Sequence, residues 1–271
     1  MKKHRFINVL VLILVVRSTL GQITPPGMGK AKTGAWVAFG LKQQLDNQKK
    51  WQSMSYIGFA RKSNLNNYDP LFKPAFFILN QEFSHQFHKH WQYSLAVSYR
   101  RQYEYFYKPP YEPKTPSLKQ EFRLYGRFSY LLKTTRFSFS STFRQEVRKF
   151  YSPDFKIVSE DLQIRSRIRL QFTVNLNATK THRLIAGSEQ LFSISKDTRL
   201  NTWTTFDYSD SRFSFYYSYS SQTQPFIFSV GYMNDLVGKK APFSAHYFGF
   251  DLILENPFKL HNRAKTVLSK N

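Results

Sequence analysis

Large apolar or aromatic residues alternate with polar or charged residues along many stretches of this chain, and residues 91–104 show the pattern best. Successive side chains of a β-strand point to opposite faces, so each such stretch would have one apolar wall and one polar wall. No helical period of 3.6 residues separates the stretches. In residues 91–104 one face would carry Trp91, Tyr93, Leu95, Val97, Tyr99 and Tyr103, and the other Gln92, Ser94, Ser98, Arg100, Gln102 and Glu104.

A strand with one apolar and one polar wall suits a β-barrel whose outside lies in lipid and whose inside is polar. Aromatic residues make up 18% of the chain, as expected for aromatic girdles, and the mean hydropathy is only -0.48 because one face of each strand is polar. After residue 21, no apolar run approaches the roughly 18 residues that a spanning helix needs. Any crossing must therefore use strands closed on themselves, because lipid cannot satisfy an open sheet edge. The sequence predicts an all-β fold, a transmembrane antiparallel up-and-down β-barrel.

The same alternation predicts ten strands, joined by short and long connections in turn. The regular change between short and long matches the short periplasmic turns and longer outer loops of bacterial barrels. With ten strands, both chain ends lie on the periplasmic side. The strands are predicted at Trp51–Lys62, Phe76–Phe87, Trp91–Phe106, Leu118–Leu132, Arg136–Lys149, Glu160–Val174, His182–Ile194, Ser211–Ser220, Phe226–Asp235 and Phe243–Leu254.

Two further segments, Trp36–Gln43 and Thr198–Phe206, fit this scheme poorly. If both cross the membrane, the barrel has twelve strands, which is also an even number. The proline-rich residues 108–116 would then lie on the side where connections should be short, and we expect them to be stiff and extended rather than strand-forming. Ten strands are therefore the prediction and twelve the alternative, with the role of residues 34–43 and 198–206 left open.

The first 21 residues have the features of a cleaved secretory signal peptide. Lys2, Lys3 and Arg5 form a basic start, residues 6–16 an apolar core too short to span a bilayer, and Thr19-Leu20-Gly21 a small-residue cleavage site. We therefore expect residues 22–258 to form one exported barrel domain in the cell outer membrane. Residues 259–271 would be a short basic tail.

The last predicted strand resembles the terminal strand that outer-membrane barrel assembly machinery recognises. Residues 247–254 place Gly249 ahead of alternating apolar residues. Such strands usually end the chain at an aromatic residue, whereas Phe258 is followed by thirteen more residues. We expect the assembly machinery to be a partner during biogenesis.

Several short motifs together resemble an uncharacterised family of Gram-negative outer-membrane β-barrels, catalogued as a domain of unknown function. The resemblance would cover residues 36–258. It implies a fold and a location, and no known activity. The motifs are the early strand with Trp36, Glu121-Phe122-Arg123, Arg165-Ser166-Arg167-Ile168-Arg169, Glu189 with Leu191-Phe192, Ser211-Arg212-Phe213, and Gly231-Tyr232 ahead of the final strand.

The chain is strongly basic and contains no cysteine. Its formal charge of +23 becomes +19 without the four basic residues that precede Gln22. Basic, aromatic-rich chains can bind single-stranded nucleic acid, but export and the placing of charges along one face of strands argue against that partner. Outer-membrane lipids and small anionic solutes are the expected partners.

Strand parity places a ladder of charged residues in the barrel interior. One interpretation is structural: in a narrow barrel, side chains fill the interior, and arginine–carboxylate pairs hold neighbouring strands in register. The other is a narrow pore whose surplus arginines attract anions. The predicted interior residues are Glu82, Arg100, Glu104, Glu121, Arg123, Arg127, Arg144, Glu146, Arg148, Arg165, Arg167, Arg169, Arg183 and Glu189.

Candidate catalytic residues are sparse, so the sequence favours a non-enzymatic barrel. The alternative is a lipid hydrolase: Ser244 and His246 share a face of the last strand, but Asp251 lies on the opposite face, and a serine nucleophile needs a base oriented by a third group. His85, His88 and His90 surround one tight turn, without a recognised metal-ligand spacing. No phosphate-binding loop or dinucleotide motif occurs, so we expect no catalytic residue, metal or cofactor.

Overall fold

A computed structural model of the protein describes residues 23, 25–239 and 241–258. The predicted signal peptide and basic tail therefore lie outside the described residues. Strands dominate the described part. Their bounds are β1 Thr33–Gln44, β2 Trp51–Lys62, β3 Lys73–His88, β4 Trp91–Tyr105, β5 Pro113–Lys133, β6 Phe137–Tyr151, β7 Ile157–Asn175, β8 His182–Asp197, β9 Thr202–Trp203, β10 Asp207–Ser220, β11 Phe226–Val237 and β12 Phe243–Glu255.

The strands form one sheet that closes on itself. Each strand from β1 to β8 pairs antiparallel with the next, and β10, β11 and β12 continue the antiparallel order. The sheet closes at two points, where β8 pairs with β10 and where β12 pairs with β1. The β12–β1 pairing is parallel, from Thr33 opposite His246 to Lys42 opposite Glu255. The predicted all-β, antiparallel up-and-down barrel is thus confirmed, with one parallel closure.

Among the described residues the barrel wall contains eleven strands, so the predicted counts of ten and twelve are both wrong. All ten predicted strands are present, and Trp36–Gln43 lies in the eleventh, β1. The only strand in Thr198–Phe206 is the two-residue β9. It pairs with Lys196 and Asp197, the last two residues of β8, and lies outside the closed wall.

The connections lie at two ends of the barrel, which we name the turn end and the loop end. The turn end carries the connections 45–50, 89–90, 134–136, 176–181 and 221–225, and the loop end 63–72, 106–112, 152–156, 198–206 and 238–242. Their lengths differ less than predicted, because several strands extend further toward the loop end. In particular, β5 begins at Pro113, so part of the proline-rich segment is strand and the prediction of a wholly non-strand loop is wrong.

Ile23 and residues 25–32, which we call the inner segment, run through the barrel interior from the turn end toward the loop end. The backbone N–H of Ile23 donates to Asp251 Oδ2 at 3.3 Å, near the turn end of β12. Further along, the N–H of Met28 donates to the Tyr247 hydroxyl at 3.4 Å, and the Lys32 carbonyl accepts from the His246 N–H at 3.0 Å. The chain then reverses into β1. An odd strand number follows, because β1 and β12 both run from the loop end to the turn end.

The outer wall is apolar and its aromatic residues gather toward the two ends. On β4, Trp91, Tyr93, Leu95 and Val97 are 36% to 58% exposed, whereas Ser94, Ala96, Ser98 and Arg100 are buried. Near the turn end, aromatic rings contact one another from Trp51 to Phe128, and near the loop end from Phe122 to Phe155. No helix among the described residues is long and apolar enough to cross a bilayer.

Candidate functional site

The barrel interior has an apolar side and a charged side. The apolar side is formed by inward residues of β11, β12 and β1–β3 packed against the inner segment. The charged side is formed by inward residues of β4–β8 and β10. Strand alternation in the sequence predicted only the charged side. The buried apolar residues are Ile23, Met28, Trp36, Ala38, Ala60, Ala75, Phe76, Ile78, Ile227, Met233, Ala245, Tyr247 and Ile253.

Trp36 anchors the apolar side and joins it to the inner segment. Its ring is 1% exposed and lies so close across Gly58 that a Cβ atom at that position would overlap the ring. Its indole N–H donates to Asp251 Oδ1 at 3.2 Å, and the other oxygen of Asp251 accepts the Ile23 N–H. The buried carboxylate therefore fixes both Trp36 and the start of the inner segment.

Glu146 is the centre of the charged side. Its side chain is fully buried, and four guanidinium groups surround its carboxylate. Arg144 Nε lies 2.6 Å from it, Arg167 Nε 2.8 Å, Arg165 Nη2 3.0 Å and Arg123 Nε 3.8 Å. These residues come from three adjacent strands, β5, β6 and β7, so one carboxylate connects all three.

Glu121 forms a second centre nearer the loop end. Arg123 Nη2 lies 2.6 Å from one of its oxygens and Arg148 Nη2 lies 2.7 Å from the other. Arg123 thus contacts both Glu121 and Glu146. Because Arg123 and Arg148 are directly opposite each other on β5 and β6, their like charges would repel without the carboxylate between them.

A third group joins β7 and β8 to β10 and β11. Arg212 lies 3.3 Å from both Asp210 and Asp235 and 3.6 Å from Glu189, which in turn lies 3.4 Å from Arg167. Asp210, Arg212 and Asp235 were not among the predicted interior residues. Their parity could have identified them, because Arg212 precedes the outward Phe213 and Phe215 in strict alternation.

Glu82 and Arg127 form a pair nearer the turn end. The Arg127 Nη2 atom lies 3.4 Å from Glu82, and this arginine side chain is 34% exposed. Glu82 also accepts hydrogen bonds from Ser94 Oγ at 2.6 Å and from the Tyr125 hydroxyl at 3.2 Å. The guanidinium of Arg144 stacks on the Tyr125 ring at 3.5 Å.

The remaining predicted residues lie at the margins of these groups. Arg100 donates to the Gly27 carbonyl at 2.9 Å, so it holds the inner segment rather than a carboxylate. Glu104 is partly exposed beside Lys114, at 3.5 Å near the loop end. Arg169 lies opposite Glu189 on the neighbouring strand, and Arg183 donates to Ser218 Oγ at 3.2 Å near the turn end.

A polar cavity of about 180 Å³ occupies the interior toward the turn end. Arg127, Arg144, Arg167 and Arg169 line it together with Glu82 and Glu189. Its side walls carry serine, threonine and glutamine side chains of β2–β7.

A larger concavity of about 1020 Å³ lies on the outer wall across β12 and β1–β6. Its lining is mostly outward apolar side chains, among them Phe39, Leu41, Leu79 and Phe122. This concavity belongs to the apolar outer surface and is separated from the charged interior by the sheet itself.

Ser244 and His246 both point outward near the loop end. Ser244 Oγ lies 3.5 Å from His246 Nε2, and His246 Nδ1 lies 2.5 Å from the Tyr232 hydroxyl. The side-chain amide of Asn234 donates to Ser244 Oγ at 2.7 Å. Asp251 is buried on the inner face, so the carboxylate considered for orienting His246 lies across the sheet wall.

The three histidines near the β3–β4 turn do not converge. The His85 ring stacks on Trp51 at 4.2 Å, and His90 Nδ1 lies 2.9 Å from the Leu131 carbonyl. Among the described residues no group of three or more His, Cys, Asp or Glu side chains is placed to hold a metal ion.

Comparison with known proteins identifies a family. A family described as "Protein of unknown function (DUF2490)" matches residues 33–244, which is most of the chain. No curated protein matches it. The resemblance to a family of unknown function, predicted from the sequence motifs, is confirmed, whereas the outer-membrane location of that family stays a prediction. The matched region runs from the first residue of β1 to the start of β12, and the chain belongs to the DUF2490 family of proteins of unknown function.

Proposed function

We propose that this protein is a non-enzymatic outer-membrane barrel whose interior does not let solutes pass through and serves to hold the barrel together. One observation carries the proposal: the interior is occupied along its length by the inner segment on one side and by linked arginine–carboxylate groups on the other. Barrels of about eight strands are filled by side chains and those of sixteen or more are open. Eleven strands fall between, and here the inner segment fills the additional space.

The apolar outer wall supports the membrane location. An exposed apolar surface around a whole barrel would drive aggregation in water, and the same surface is stable in lipid. Rings such as Trp51, Trp91 and Tyr93 near the turn end correspond to an aromatic girdle at a bilayer interface. Export by a cleaved signal peptide belongs to the same proposal.

The arrangement of the charges favours a closed barrel over an anion-attracting pore. Glu146 and Glu121 hold arginines of the adjacent strands β5, β6 and β7, and Arg100 of β4 holds the inner segment on the other side. A conducting path would have to separate these contacts. Breaking a buried ion pair leaves an uncompensated charge and costs several kcal/mol.

Planar bilayer recordings test closure. We expect no stepwise conductance from the wild-type protein, with folding established separately by heat-dependent migration on a detergent gel and insertion by flotation of the protein with lipid vesicles. Steady anion-selective conductance that is lost when Arg165, Arg167 and Arg169 become alanine would instead establish the pore.

A lipid hydrolase is the second candidate, favoured by the contact of Ser244 with His246 on a lipid-accessible face. A serine nucleophile would need His246 Nε2 as base, and the Tyr232 hydroxyl would have to orient the ring in place of a carboxylate. We expect no fatty-acid release from phospholipid vesicles. Release by the wild type that disappears in Ser244→Ala, and persists when the inward Ser214 of β10 is changed to alanine as a control, would support the hydrolase.

A further inference from the structure

We propose that the polar cavity at the turn end binds a small oxyanion, a phosphate or carboxylate group with at least two oxygens, between the guanidinium groups of Arg127, Arg144, Arg167 and Arg169. This site is distinct from the closure of the barrel, since it occupies one end of the interior and requires no passage through it.

The cavity has the position of a binding site rather than of a channel. Gln52 and Gln92 lie at the starts of β2 and β4, and Gln171 lies near the end of β7. These side-chain amides therefore surround the turn end of the cavity. Arg144 and Arg167 also line the cavity, and their side chains are 12% and 7% exposed. The Arg127 side chain, at 34%, is more exposed than either of them.

The cavity wall carries more positive than negative charge. Four arginines face it, against the carboxylates of Glu82 and Glu189. Glu146 behind the wall does not restore the balance, because its single charge is shared by Arg144 and Arg167 with two further arginines. Glu189 is likewise shared, between Arg167 and Arg212. Partly buried guanidinium groups in excess create a site in which an anion is strongly stabilised.

The donors around the cavity match an oxyanion rather than a halide. Guanidinium groups donate pairs of parallel hydrogen bonds to two oxygens of a carboxylate or phosphate. The Ser84 hydroxyl adds a neutral donor along the wall, and the hydrogen-bonded hydroxyls of Ser129 and Thr142 add one more. A volume of about 180 Å³ is sufficient for a phosphate group or a small carboxylate together with several waters.

The test is isothermal titration calorimetry of the full protein in detergent micelles, at constant ionic strength. The ligands are inorganic phosphate and succinate, with chloride as the comparison anion. We expect saturable binding of at least one oxyanion, and binding about tenfold or more weaker in Arg127→Gln, because a charge-assisted pair of hydrogen bonds is lost. Arg101→Gln is the matched control, since Arg101 is exposed on the outer face of β4.

Arg127 is suitable for the test because its side chain is partly exposed and pairs with Glu82 rather than with the buried Glu146 or Glu121. Arg127→Lys provides a second variant that keeps the charge and loses the paired donors. Phosphate binding without succinate binding would narrow the site to phosphoryl groups, and the reverse would narrow it to carboxylates. Heats equal to those of chloride, or an affinity unchanged in Arg127→Gln, would overturn the proposal. Because the measurement uses neither lipid bilayers nor conductance, its failure is separate from failure of the closed-barrel proposal.

Discussion

At the scale of single residues, carboxylates hold the interior together by separating arginines that the strand register brings face to face. Arg127 is opposite Arg144, and Arg144 is opposite Arg167, on consecutive strands. Like charges in directly opposed positions destabilise a sheet. Glu146, in contact with both Arg144 and Arg167, converts that repulsion into attraction across β6 and β7.

Replacing Glu146 by Gln should therefore be severely destabilising. The amide keeps the shape but removes the charge that compensates several buried guanidinium groups, and breaking such a buried pair typically costs about 3–5 kcal/mol. Urea unfolding in detergent micelles, followed by tryptophan fluorescence, measures the change. Glu104→Gln is the control, because its pair with Lys114 is partly exposed and should contribute less than about 1 kcal/mol. Equal effects of the two substitutions would contradict a central role for Glu146.

Gly58 offers a test of the apolar side. A methyl group there would overlap the Trp36 ring, and overpacking of this kind typically costs about 1–3 kcal/mol. Gly58→Ala should lower the unfolding free energy in the same urea experiment. Gly126→Ala is a matched strand control, since its added methyl group would meet the nearest atom, the Ser94 carbonyl oxygen, only at 3.7 Å. A stability of Gly58→Ala equal to that of Gly126→Ala would show that Trp36 is not held against Gly58.

Residue-level properties were partly accessible from the sequence. Period-two alternation gives the face of each side chain, so the sequence alone could assign the arginines of β5–β7 to one wall. The partners could not be assigned, because the distance from Arg123 to Glu146 depends on register between strands. The cluster of four arginines around Glu146 forms only when β5, β6 and β7 pair in this register.

At the scale of elements, β1 shows why one barrel strand was not recognised. Its inward residues include Gly34, Trp36, Ala38 and Gly40, and its outward residues include Phe39 and Leu41. Because both faces are apolar, the alternation that identified the other ten strands is absent. The inward side is apolar since it faces the inner segment rather than charged groups. The inner segment also explains why the expected even strand number is wrong. That expectation assumed that the chain enters the barrel wall directly, whereas it first crosses the interior.

The hold of Asp251 on the inner segment can be tested by Asp251→Ala. Both Ile23 and Trp36 lose a buried acceptor, and a buried donor left unpaired costs about 1–3 kcal/mol. We expect faster amide exchange in residues 27–32, measured by hydrogen–deuterium exchange with mass spectrometry, while β6 and β7 stay protected. Ser244→Ala, on the outer face of the same strand, is the control. Exchange that rises uniformly over all strands would point to global destabilisation instead of release of the inner segment.

At the scale of the whole molecule, the outer wall is apolar where the outer wall of a soluble barrel is polar. The interior is neither uniformly polar nor uniformly apolar: charged groups bind β4–β8 and β10 together, and an apolar cluster binds β11, β12 and β1–β3 to the inner segment. This division explains how a barrel of intermediate size is filled. Arginine networks alone would leave the inner segment without apolar partners.

The four tryptophans allow the outer wall to be tested directly in lipid. Trp51 and Trp91 are 42% and 36% exposed on the wall, Trp36 is 1% exposed inside, and Trp203 belongs to β9 outside the barrel. Trp36 is kept in every protein tested because Asp251 depends on it, and the other three are changed to phenylalanine in pairs or all together. In vesicles with brominated acyl chains, proteins that retain Trp51 or Trp91 should be quenched much more strongly than the protein with Trp36 alone. The protein that retains Trp203 should respond to aqueous acrylamide instead. If brominated lipid quenches none of them, the apolar wall does not face a bilayer and the membrane proposal fails, whatever the conductance experiment shows.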